Sequence, residues 1–158
     1  MPDIKLIAAI DEKRGIAAHG KLAWNLPTDR AYFRKQVQAG PVVMGWNTFT
    51  NNNFKPYGDG PNTVITRRKT EAFPGVWVVH DAEEYFKTVG DDIWVAGGGQ
   101  IYAEALPYAT HLYLTDVKGD HGCDTFFPDF TQDFMLRDVR EWQTENDTEF
   151  RYTVWVRK

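Results

Sequence analysis

The sequence has a single cysteine, no long apolar run and no excess of positive charge, and each shortage excludes a class of protein. With Cys123 alone, the chain has no internal disulfide and no thiolate metal cluster, as is usual in a reducing compartment. No stretch approaches the about 18 apolar residues of a membrane-spanning helix. The net charge of -4 argues against general nucleic-acid binding, which requires a basic surface. The four histidines lack metal-ligand spacing, so we expect no bound metal.

The composition that remains is that of a folded protein with one domain, residues 1–158. Hydrophobic residues make up 42% of the chain and aromatic residues 15%, which is too much for a disordered chain. The first ten residues, "MPDIKLIAAI", include an early acid and only a short apolar run, unlike a signal peptide. We therefore expect a cytoplasmic protein that does not bind membranes.

Short apolar runs alternate with helical patterns along most of the chain. The predicted strands are 4–10, 41–45, 62–66, 76–79, 92–97 and 111–117. The predicted helices are 28–39, capped by Thr28, 81–89, capped by Asp81, and 99–109, whose last turn Pro107 ends or loosens. This alternation is typical of an α/β protein with right-handed crossovers and a mainly parallel sheet.

Two segments deviate from this pattern. Near the end, "FMLRDVREWQ" and "EFRYTVWVRK" flank "TEND" with no helix between them, which predicts an antiparallel hairpin at one sheet edge. Residues 11–27 form a long loop rich in glycine and alanine, and loops of this length are usually functional or disordered. Gly15 and Gly20 could act as hinges of a lid, with Ile16 and Leu22 as its apolar contacts; a floppy surface loop is the alternative.

Three strand ends carry residues suited to bind phosphate. In "VAGGGQIY" (95–102), three glycines lead from a strand into a helix, where free backbone N–H groups can bind an anion. The segment matches neither common nucleotide-binding glycine motif, and the glycines could also serve only a tight turn. "MGWNTF" (44–49) repeats the arrangement, and "ITRR" (65–68) ends in two arginines, whose planar forks suit a phosphate monoester. Because ligands bind at the carboxyl ends of parallel strands, the three features favour an extended cofactor with several phosphates.

One acid stands in apolar surroundings, in "LAWNLPTD" (22–29). An exposed Asp29 at a helix start would be ordinary, because the helix dipole favours negative charge there. A half-buried Asp29 between Trp24 and Phe33 would be costly unless something paired with it.

Seven segments, in this order, resemble the dihydrofolate reductase family: "LIAAI", "WNLPTDRAYF", "VVMGWNTF", "VITRR", "VAGGGQIY", "LYLTDV" and "CDTFFPDF". The resemblance runs along nearly the whole chain. It implies a mostly parallel eight-stranded sheet with about four helices, and NADPH as the hydride donor. It also implies a monomeric enzyme that reduces 7,8-dihydrofolate to 5,6,7,8-tetrahydrofolate, with hydride added at C6 and a proton at N5, in one-carbon and thymidylate metabolism.

The resemblance also implies roles for individual residues. The catalytic group would be Asp29, Thr115, Leu22 and Trp24. Substrate contacts would come from Ile7, Ala8, Ala9, Asp29, Phe33, Ala96, Tyr102 and Thr115. Cofactor contacts would come from Ala9, Ile16, His19, Gly20, Leu22, Gly45, Trp46, Asn47, Thr48, Thr66, Arg67, Arg68, Ala96, Gly97, Gly98, Gly99, Gln100, Ile101 and Tyr102. Of these, Thr66 and Arg67 match the residues that take the adenosine 2′-phosphate. Apart from the resemblance, His80 ends a predicted strand, and we hypothesise that it lies near the adenine.

In this interpretation, Asp29 pairs with the ligand and not with the protein. A pterin ring offers an amino group and a ring N–H side by side, and a carboxylate accepts both, at about 1.5–3 kcal/mol for each charge-assisted hydrogen bond. Phe33, four residues later, shares the helix face of Asp29 and would cover the ring. Asp29 would orient the ring and raise its basicity, while water delivers the proton to N5.

Three positions depart from the family's usual pattern. Trp46 stands where a basic residue usually lies beside the cofactor phosphates, and Ala96 replaces a larger aliphatic residue. Gly60 falls near the usual position of an arginine that holds the substrate's glutamate carboxylate. We hypothesise that Arg30, supported by Arg34 or Lys55, holds that carboxylate instead. The alternative is a solvated arginine on the helix face.

Two other functions remain open. A related reductase acting on a pyrimidine or another pterin would keep the phosphate-binding segments but would not need Asp29 after "WNLP". A non-catalytic nucleotide-binding module of the same fold would leave the lid-like loop, Asp29 and Thr115 without a purpose.

Overall fold

The computed structural model describes residues 1–69 and 73–158. Its strands are β1 (Ile4–Ile10), β2 (Gly15–Ala17), β3 (Val42–Gly45), β4 (Asn62–Ile65), β5 (Val76–Val79), β6 (Ile93–Val95), β7 (His111–Val117), β8 (Thr125–Phe126), β9 (Phe134–Val139), β10 (Gln143–Glu145) and β11 (Thr148–Arg157). Its helices are α1 (Pro27–Val37), α2 (Trp46–Asn51), α3 (Ala82–Thr88) and α4 (Gly99–Ala105), and a 3-10 turn (Leu106–Tyr108) follows α4. In the described ranges, no helix combines the length and the apolarity that crossing a membrane requires.

The main sheet has the order β10-β11-β7-β1-β6-β3-β4-β5. The strands from β7 to β5 pair in parallel, and β11 runs antiparallel to β7. Strands β9 and β10 both pair with β11 along different stretches, so they share one position beside it. Among the described residues, the main sheet therefore has eight strand positions, and the predicted parallel sheet with its antiparallel hairpin is confirmed.

The core lies on both faces of this sheet because successive side chains of a buried parallel strand point to opposite faces. On β1, Leu6 packs with Val95 and with Phe86 of α3 on one face. Its neighbour Ile7 packs on the other face in the cluster that contains Val37 of α1 and Phe49 of α2. This alternation explains why the predicted strands are near-continuous apolar runs.

The start of α1 differs from the prediction. The helix begins at Pro27, its N-cap Leu26 forms no side-chain cap, and the assignment of Thr28 as the cap is wrong. Instead, the Glu145 carboxylate of β10 accepts hydrogen bonds from the Thr28 backbone N–H (2.9 Å) and from Thr28 Oγ1 (2.6 Å). A distant strand thus supplies the anion that helix N-termini prefer.

The two other predictions about helix ends agree with the structure. Asp81 Oδ1 accepts the Glu84 backbone N–H at 3.1 Å, so Asp81 caps α3 as predicted. The α-helical part of α4 ends at Ala105, and Pro107 lies in the 3-10 turn that follows. Proline at this position is compatible with such a turn because it lacks the N–H that a continuing α-helix needs.

The long loop at 11–27 is anchored along much of its length. Within it, β2 pairs with β8, and Ala18 forms a bridge with Lys21. At its base, the buried Asp11 carboxylate accepts the backbone N–H groups of Lys13, Gly15 and His121, at 2.8–3.0 Å. The segment is therefore an ordered loop that packs against residues 118–126.

Asn62 fixes the segment that leads into β4. Its side chain is fully buried, accepts the Tyr57 backbone N–H at 2.8 Å, and donates to the carbonyls of Tyr57 and Gly60 at 2.9 and 3.1 Å. These bonds set the direction in which β4 delivers Thr66 and Arg67 to the end of the sheet.

We expect Asn62→Ala to lower the free energy of unfolding by about 1–3 kcal/mol, because it leaves three backbone groups without their partner. Asn52→Ala is the matched control, because among the described residues the Asn52 side chain makes one exposed hydrogen bond, to the Lys55 carbonyl. Its expected cost is less than about 1 kcal/mol. Denaturant unfolding of both variants measures the difference, and equal losses would contradict the role given to Asn62.

Candidate functional site

The first-turn acid of α1 is buried, with 8% of Asp29 exposed. Thr115 Oγ1 on β7 donates a 2.7 Å hydrogen bond to Asp29 Oδ1, and Thr115 itself is 3% exposed. In the described part of the chain, this is the only hydrogen bond to the carboxylate, so Oδ2 can accept from a ligand. Asp29 is therefore not an exposed acid that compensates the helix dipole.

Burial raises the pKa of the Asp29 carboxyl above its ordinary value, because a charge in a poorly solvated place is disfavoured. The hydrogen bond from Thr115 and the positive charge of Arg30 work against this shift, while the negative charge of Glu145 adds to it. Glu145 itself has a lowered pKa, because the two hydrogen bonds from Thr28 favour its ionised form. We call the contact between Glu145 and Thr28 the clamp, because it holds the start of α1. The charge of Glu145 in this clamp therefore affects the pKa of the buried Asp29.

Aromatic side chains accompany this acid, and we refer to Asp29, Thr115, Trp24, Phe33 and Tyr57 together as the acid pocket. Trp24 is 8% exposed, and its indole Nε1 is buried without a hydrogen-bond partner among the described residues. A buried donor of this kind indicates a place for a water molecule or a ligand acceptor. Phe33, one helical turn after Asp29, meets Tyr57 edge-on with ring centroids 5.3 Å apart. The pocket thus offers one carboxylate, one indole donor and apolar ring faces.

Close backbone contacts join the ends of β3 and β6. The Gly45 N–H donates to the Gly97 carbonyl at 2.7 Å. A Cβ at Gly45 would lie 2.9 Å from Ile101 Cγ1, and one at Gly97, where φ is +116°, would lie 3.1 Å from the Tyr102 hydroxyl. Gly45 and Gly97 are therefore required by the tight packing of this turn, which is the structural reason for glycine considered in the sequence analysis. They also keep the junction free of side chains.

A groove of about 870 Å³ runs along this edge of the sheet. Ten of the predicted cofactor residues line it: Gly45, Trp46, Asn47, Thr66, Arg67, Arg68, Gly98, Gly99, Gln100 and Ile101. His80 lines it too, as expected, with its Nδ1 2.7 Å from the Thr66 carbonyl. The sequence alone did not identify two further lining residues, Glu104 of α4 and Tyr108 of the 3-10 turn, whose ring stacks on Phe86 of α3 with ring centroids 6.2 Å apart.

Nine predicted cofactor residues are not part of this lining: Ala9, Ile16, His19, Gly20, Leu22, Thr48, Ala96, Gly97 and Tyr102. Gly97 and Thr48 adjoin it, because Thr48 Oγ1 would lie 3.7 Å from a Cβ at Gly98. Several belong to the loop at 11–27, where the His19 N–H donates to Asp124 (3.0 Å) and the Gly20 carbonyl accepts from Asn51 (2.8 Å). Leu22 is half-exposed. The structure brings this loop beside the site without placing it in the groove.

Strand β1 connects the acid pocket with the groove. Ala9 pairs in register with Thr115, next to Asp29. Two residues earlier, the Ile7 carbonyl accepts a 2.6 Å hydrogen bond from the Tyr102 hydroxyl of α4. The predicted substrate residues Ile7, Ala8 and Ala9 thus lie between the acid and the glycine junction, where a substrate and a cofactor could meet.

The residues assigned to a substrate tail are less organised. Arg30 donates to Asn25 Oδ1 at 2.8 Å, and Arg34 and Lys55 are exposed or half-exposed on the surface. Gly60 packs so closely on the Ala39 and Gly40 carbonyls that a Cβ would lie 2.8 Å from both oxygens. Gly60 therefore serves backbone packing, and the role of Arg30 remains a prediction.

The clamp between Glu145 and Thr28 was not predicted from the sequence. The hairpin itself was predicted, and Asn146 and Asp147 form its turn with positive φ values. Its docking on α1 is non-local, because Glu145 is 117 residues away from Thr28. Nothing local in "NLPTD" signals this contact, because Thr28 itself looks like the cap of the helix.

We expect Asp29→Asn to raise the free energy of unfolding at pH 7. The raised pKa means that the folded state binds more protons than the unfolded state above pH 3.8, so ionised Asp29 costs stability as pH rises. Asparagine keeps the shape and still accepts from Thr115. The stabilisation should shrink as the pH falls toward 3.8, which denaturant unfolding at several pH values measures.

Asp11→Asn is the matched control. Asp11 is also buried, but the backbone N–H groups of Lys13, Gly15 and His121 outweigh its burial and lower its pKa, so neutralising it should lower stability at pH 7. A loss of stability at pH 7 in Asp29→Asn as well would mean that the charge of Asp29 stabilises the fold, which contradicts the cost expected from its burial.

Comparisons with known proteins agree with this geometry. A family model described as dihydrofolate reductase matches residues 3–157. The dihydrofolate reductase of Haemophilus influenzae is 32% identical over 157 residues, covering 97% of this chain and 98% of the relative. Dihydrofolate reductase type 3 of Salmonella typhimurium is 37% identical over 129 residues, covering 80% of this chain and 79% of the relative.

A solved structure shows the same fold. It is described as dihydrofolate reductase from Enterococcus faecalis complexed with NADP(H) and RAB-propyl, with a TM-score of 0.86 and 26% identity. The alignment covers 99% of this chain and 96% of that one. With a family model spanning nearly all of its length and relatives above 30% identity, this chain belongs to the dihydrofolate reductase family.

Proposed function

We propose that this protein is an NADPH-dependent oxidoreductase that reduces 7,8-dihydrofolate to 5,6,7,8-tetrahydrofolate. The observation that carries the proposal is the buried pair of Asp29 and Thr115, one strand away from a groove at the carboxyl ends of the parallel strands. Family membership and the NADP(H) of the Enterococcus structure support it. Its product would serve one-carbon and thymidylate metabolism.

The groove fits NADPH. Its polar lining residues, its glycines and its two arginines suit a ligand with a pyrophosphate and a phosphate monoester. A Cβ at Gly45 would fill the place where β3 approaches α4, so only glycine leaves that backbone open to a ligand. Gly45, Asn47, Thr48 and the 97–101 segment would hold the pyrophosphate, and Thr66 with Arg67 the 2′-phosphate. When bound, NADPH supplies the hydride that is added at C6.

The acid pocket would bind and orient the pterin ring. Asp29 Oδ1 is held by Thr115, which leaves Oδ2 and the second lone pair of Oδ1 for the amino group and the neighbouring ring N–H of the ligand. A charge-assisted pair of this kind favours the ionised carboxylate, against the burial that raises its pKa. The bound carboxylate would raise the basicity of the ring, and a water molecule would then deliver the proton to N5.

The remaining predicted residues would exclude bulk water and cover the ring. Phe33 and Tyr57 provide ring faces on one side of the pocket. The loop at 11–27, which is tied to Asp124 and to Asn51, would cover the site, with Ile16 and Leu22 as its apolar contacts. Trp24 Nε1 would donate to an ordered water beside the ligand.

One cheap assay separates this proposal from its two rivals. Loss of absorbance at 340 nm with NADPH and dihydrofolate indicates the proposed reaction. A reductase of another pterin or of a pyrimidine would bind NADPH without consuming it on dihydrofolate. A non-catalytic module would not oxidise NADPH with dihydrofolate, with another pterin or with a pyrimidine.

We expect Asp29→Asn to reduce turnover at neutral pH by orders of magnitude, because asparagine cannot accept two charge-assisted hydrogen bonds or raise the basicity of the ring. Steady-state kinetics with dihydrofolate measures the loss. The pH profile of the remaining activity should lose the ionisation that belongs to Asp29. Full activity in this variant would refute the assignment.

Arg67→Ala should raise KM for NADPH and leave KM for NADH nearly unchanged. A 2′-phosphate gains charge-assisted hydrogen bonds from arginine that a 2′-hydroxyl does not. Parallel kinetics with the two cofactors measures the selectivity. An equal effect on both would assign Arg67 to the fold and not to the 2′-phosphate.

Arg30→Leu should lower kcat/KM for dihydrofolate modestly, by at most about tenfold, because an exposed ion pair contributes only about 0–1 kcal/mol and a bidentate one somewhat more. The loss should nearly vanish for a dihydropterin without glutamate, because that substrate has no carboxylate to lose. Asn25→Ala is the control, since it removes the partner of Arg30 and keeps the arginine. Equal slowing of tailed and tailless substrates in Arg30→Leu would show that Arg30 does not bind the tail.

A further inference from the structure

Trp46 forms a rigid surface at the end of β3. Three aromatic rings hold its indole, with ring centroids 6.1 Å away at Phe49, 5.9 Å at Phe54 and 6.1 Å at Phe73. Phe49 is fully buried, so this aromatic cluster is anchored in the core. Trp46 also lines the groove. An indole packed in this way has little freedom to move when a ligand binds.

Arg68 lies on this surface. Its guanidinium carbon is 5.0 Å from the centroid of the Trp46 ring, within the range of a cation–π interaction. The Arg68 backbone is fixed as well, because its N–H donates to Thr66 Oγ1 at 3.1 Å. A stacked arginine keeps its N–H edges available for hydrogen bonds in the plane of the guanidinium, since stacking uses only its face.

The acids of the groove are engaged elsewhere. Asp81 caps α3 through the Glu84 N–H, and Glu83 pairs with Lys87 at 2.6 Å. Glu104 accepts from Gln100 Nε2 at 3.3 Å. Among the described lining residues, Arg67 and Arg68 are the only Lys or Arg side chains, so they are the permanent cations that the groove offers to an anionic group.

We propose that Arg68, held in place by Trp46, is a second ligand of the phosphate monoester on the adenosine ribose of the cofactor. Trp46 has no charge, unlike the basic residue that the family usually has at its position. Arg68 provides the positive charge instead, and Trp46 orients Arg68 toward the groove. Arg67 and Arg68 then bind the same phosphate from the end of one strand. This inference rests on the proposed use of NADPH and deepens it.

The test is calorimetric binding of two probes, adenosine 2′,5′-diphosphate and adenosine 5′-monophosphate, which differ only in the 2′-phosphate. Arg68→Gln should weaken binding of the first about tenfold, the usual effect of one charge-assisted hydrogen bond, and change the second less than about twofold. Lys69→Gln is the control, because it removes the same charge from the next residue and should leave both affinities unchanged.

The role of Trp46 is tested by combining variants. Trp46→Leu should weaken binding of the 2′,5′-diphosphate through Arg68, so Trp46→Leu with Arg68→Gln should bind as weakly as Arg68→Gln alone. Trp46→Phe should bind nearly as the wild type, because a phenyl ring keeps the stacking surface. Trp46→Lys in the Arg68→Gln background should restore part of the affinity by placing a charge directly. Thermal unfolding of each variant confirms that it is folded.

The outcomes separate this inference from the proposed function. If the wild-type protein binds both probes equally, the use of NADPH itself fails. If the wild type prefers the 2′,5′-diphosphate and Arg68→Gln retains the full preference, Arg68 is not a ligand. If the losses of Trp46→Leu and Arg68→Gln add, Arg68 binds without help from Trp46 and the orienting role is overturned.

Discussion

The hydrogen bond from Thr115 to Asp29 is the contact on which the arrangement of the site depends. It joins the first turn of α1 to the centre of the sheet and holds a carboxylate where water has little access. Burial in such a position raises the free energy of an ionised group, and the pKa of Asp29 is raised for this reason. One protein donor serves this carboxylate among the described residues, so its remaining lone pairs can accept hydrogen bonds from a ligand.

Two further contacts fix the elements around Asp29. Glu145 from the C-terminal hairpin holds the N–H and the hydroxyl of Thr28, so the sheet edge fixes the start of α1 next to Asp29. On the other side, the Tyr102 hydroxyl binds the Ile7 carbonyl and ties α4 to β1. The acid pocket and the groove thus share β1 as a common wall, and a small displacement of either helix would change the distance between their ligands.

Several local costs lie at this site. Asp29 is buried with a raised pKa, Trp24 Nε1 lacks a partner in the described residues, and Gly97 adopts a conformation that disfavours side chains. Elsewhere the described chain satisfies its buried polar groups, as Asn62 and Asp11 illustrate with three backbone hydrogen bonds each. Proteins tolerate such costs where ligand binding offsets them, and this pattern points to the same site as the family resemblance.

The sequence by itself determined the sheet, because its near-continuous apolar runs, alternating with helical segments, leave few other ways to bury that surface. It also identified Asp29, the glycine segment at 97–99 and the arginines after β4, because each interrupts or ends a periodic pattern. Tertiary structure decided what those residues touch. Thr28 looks like a local cap in the sequence, but Glu145, 117 residues away, makes its hydrogen bonds, and Trp46 looks like a loss of charge until Arg68 stacks on it. Both contacts depend on the order of strands in the sheet, which local propensity and spacing do not encode.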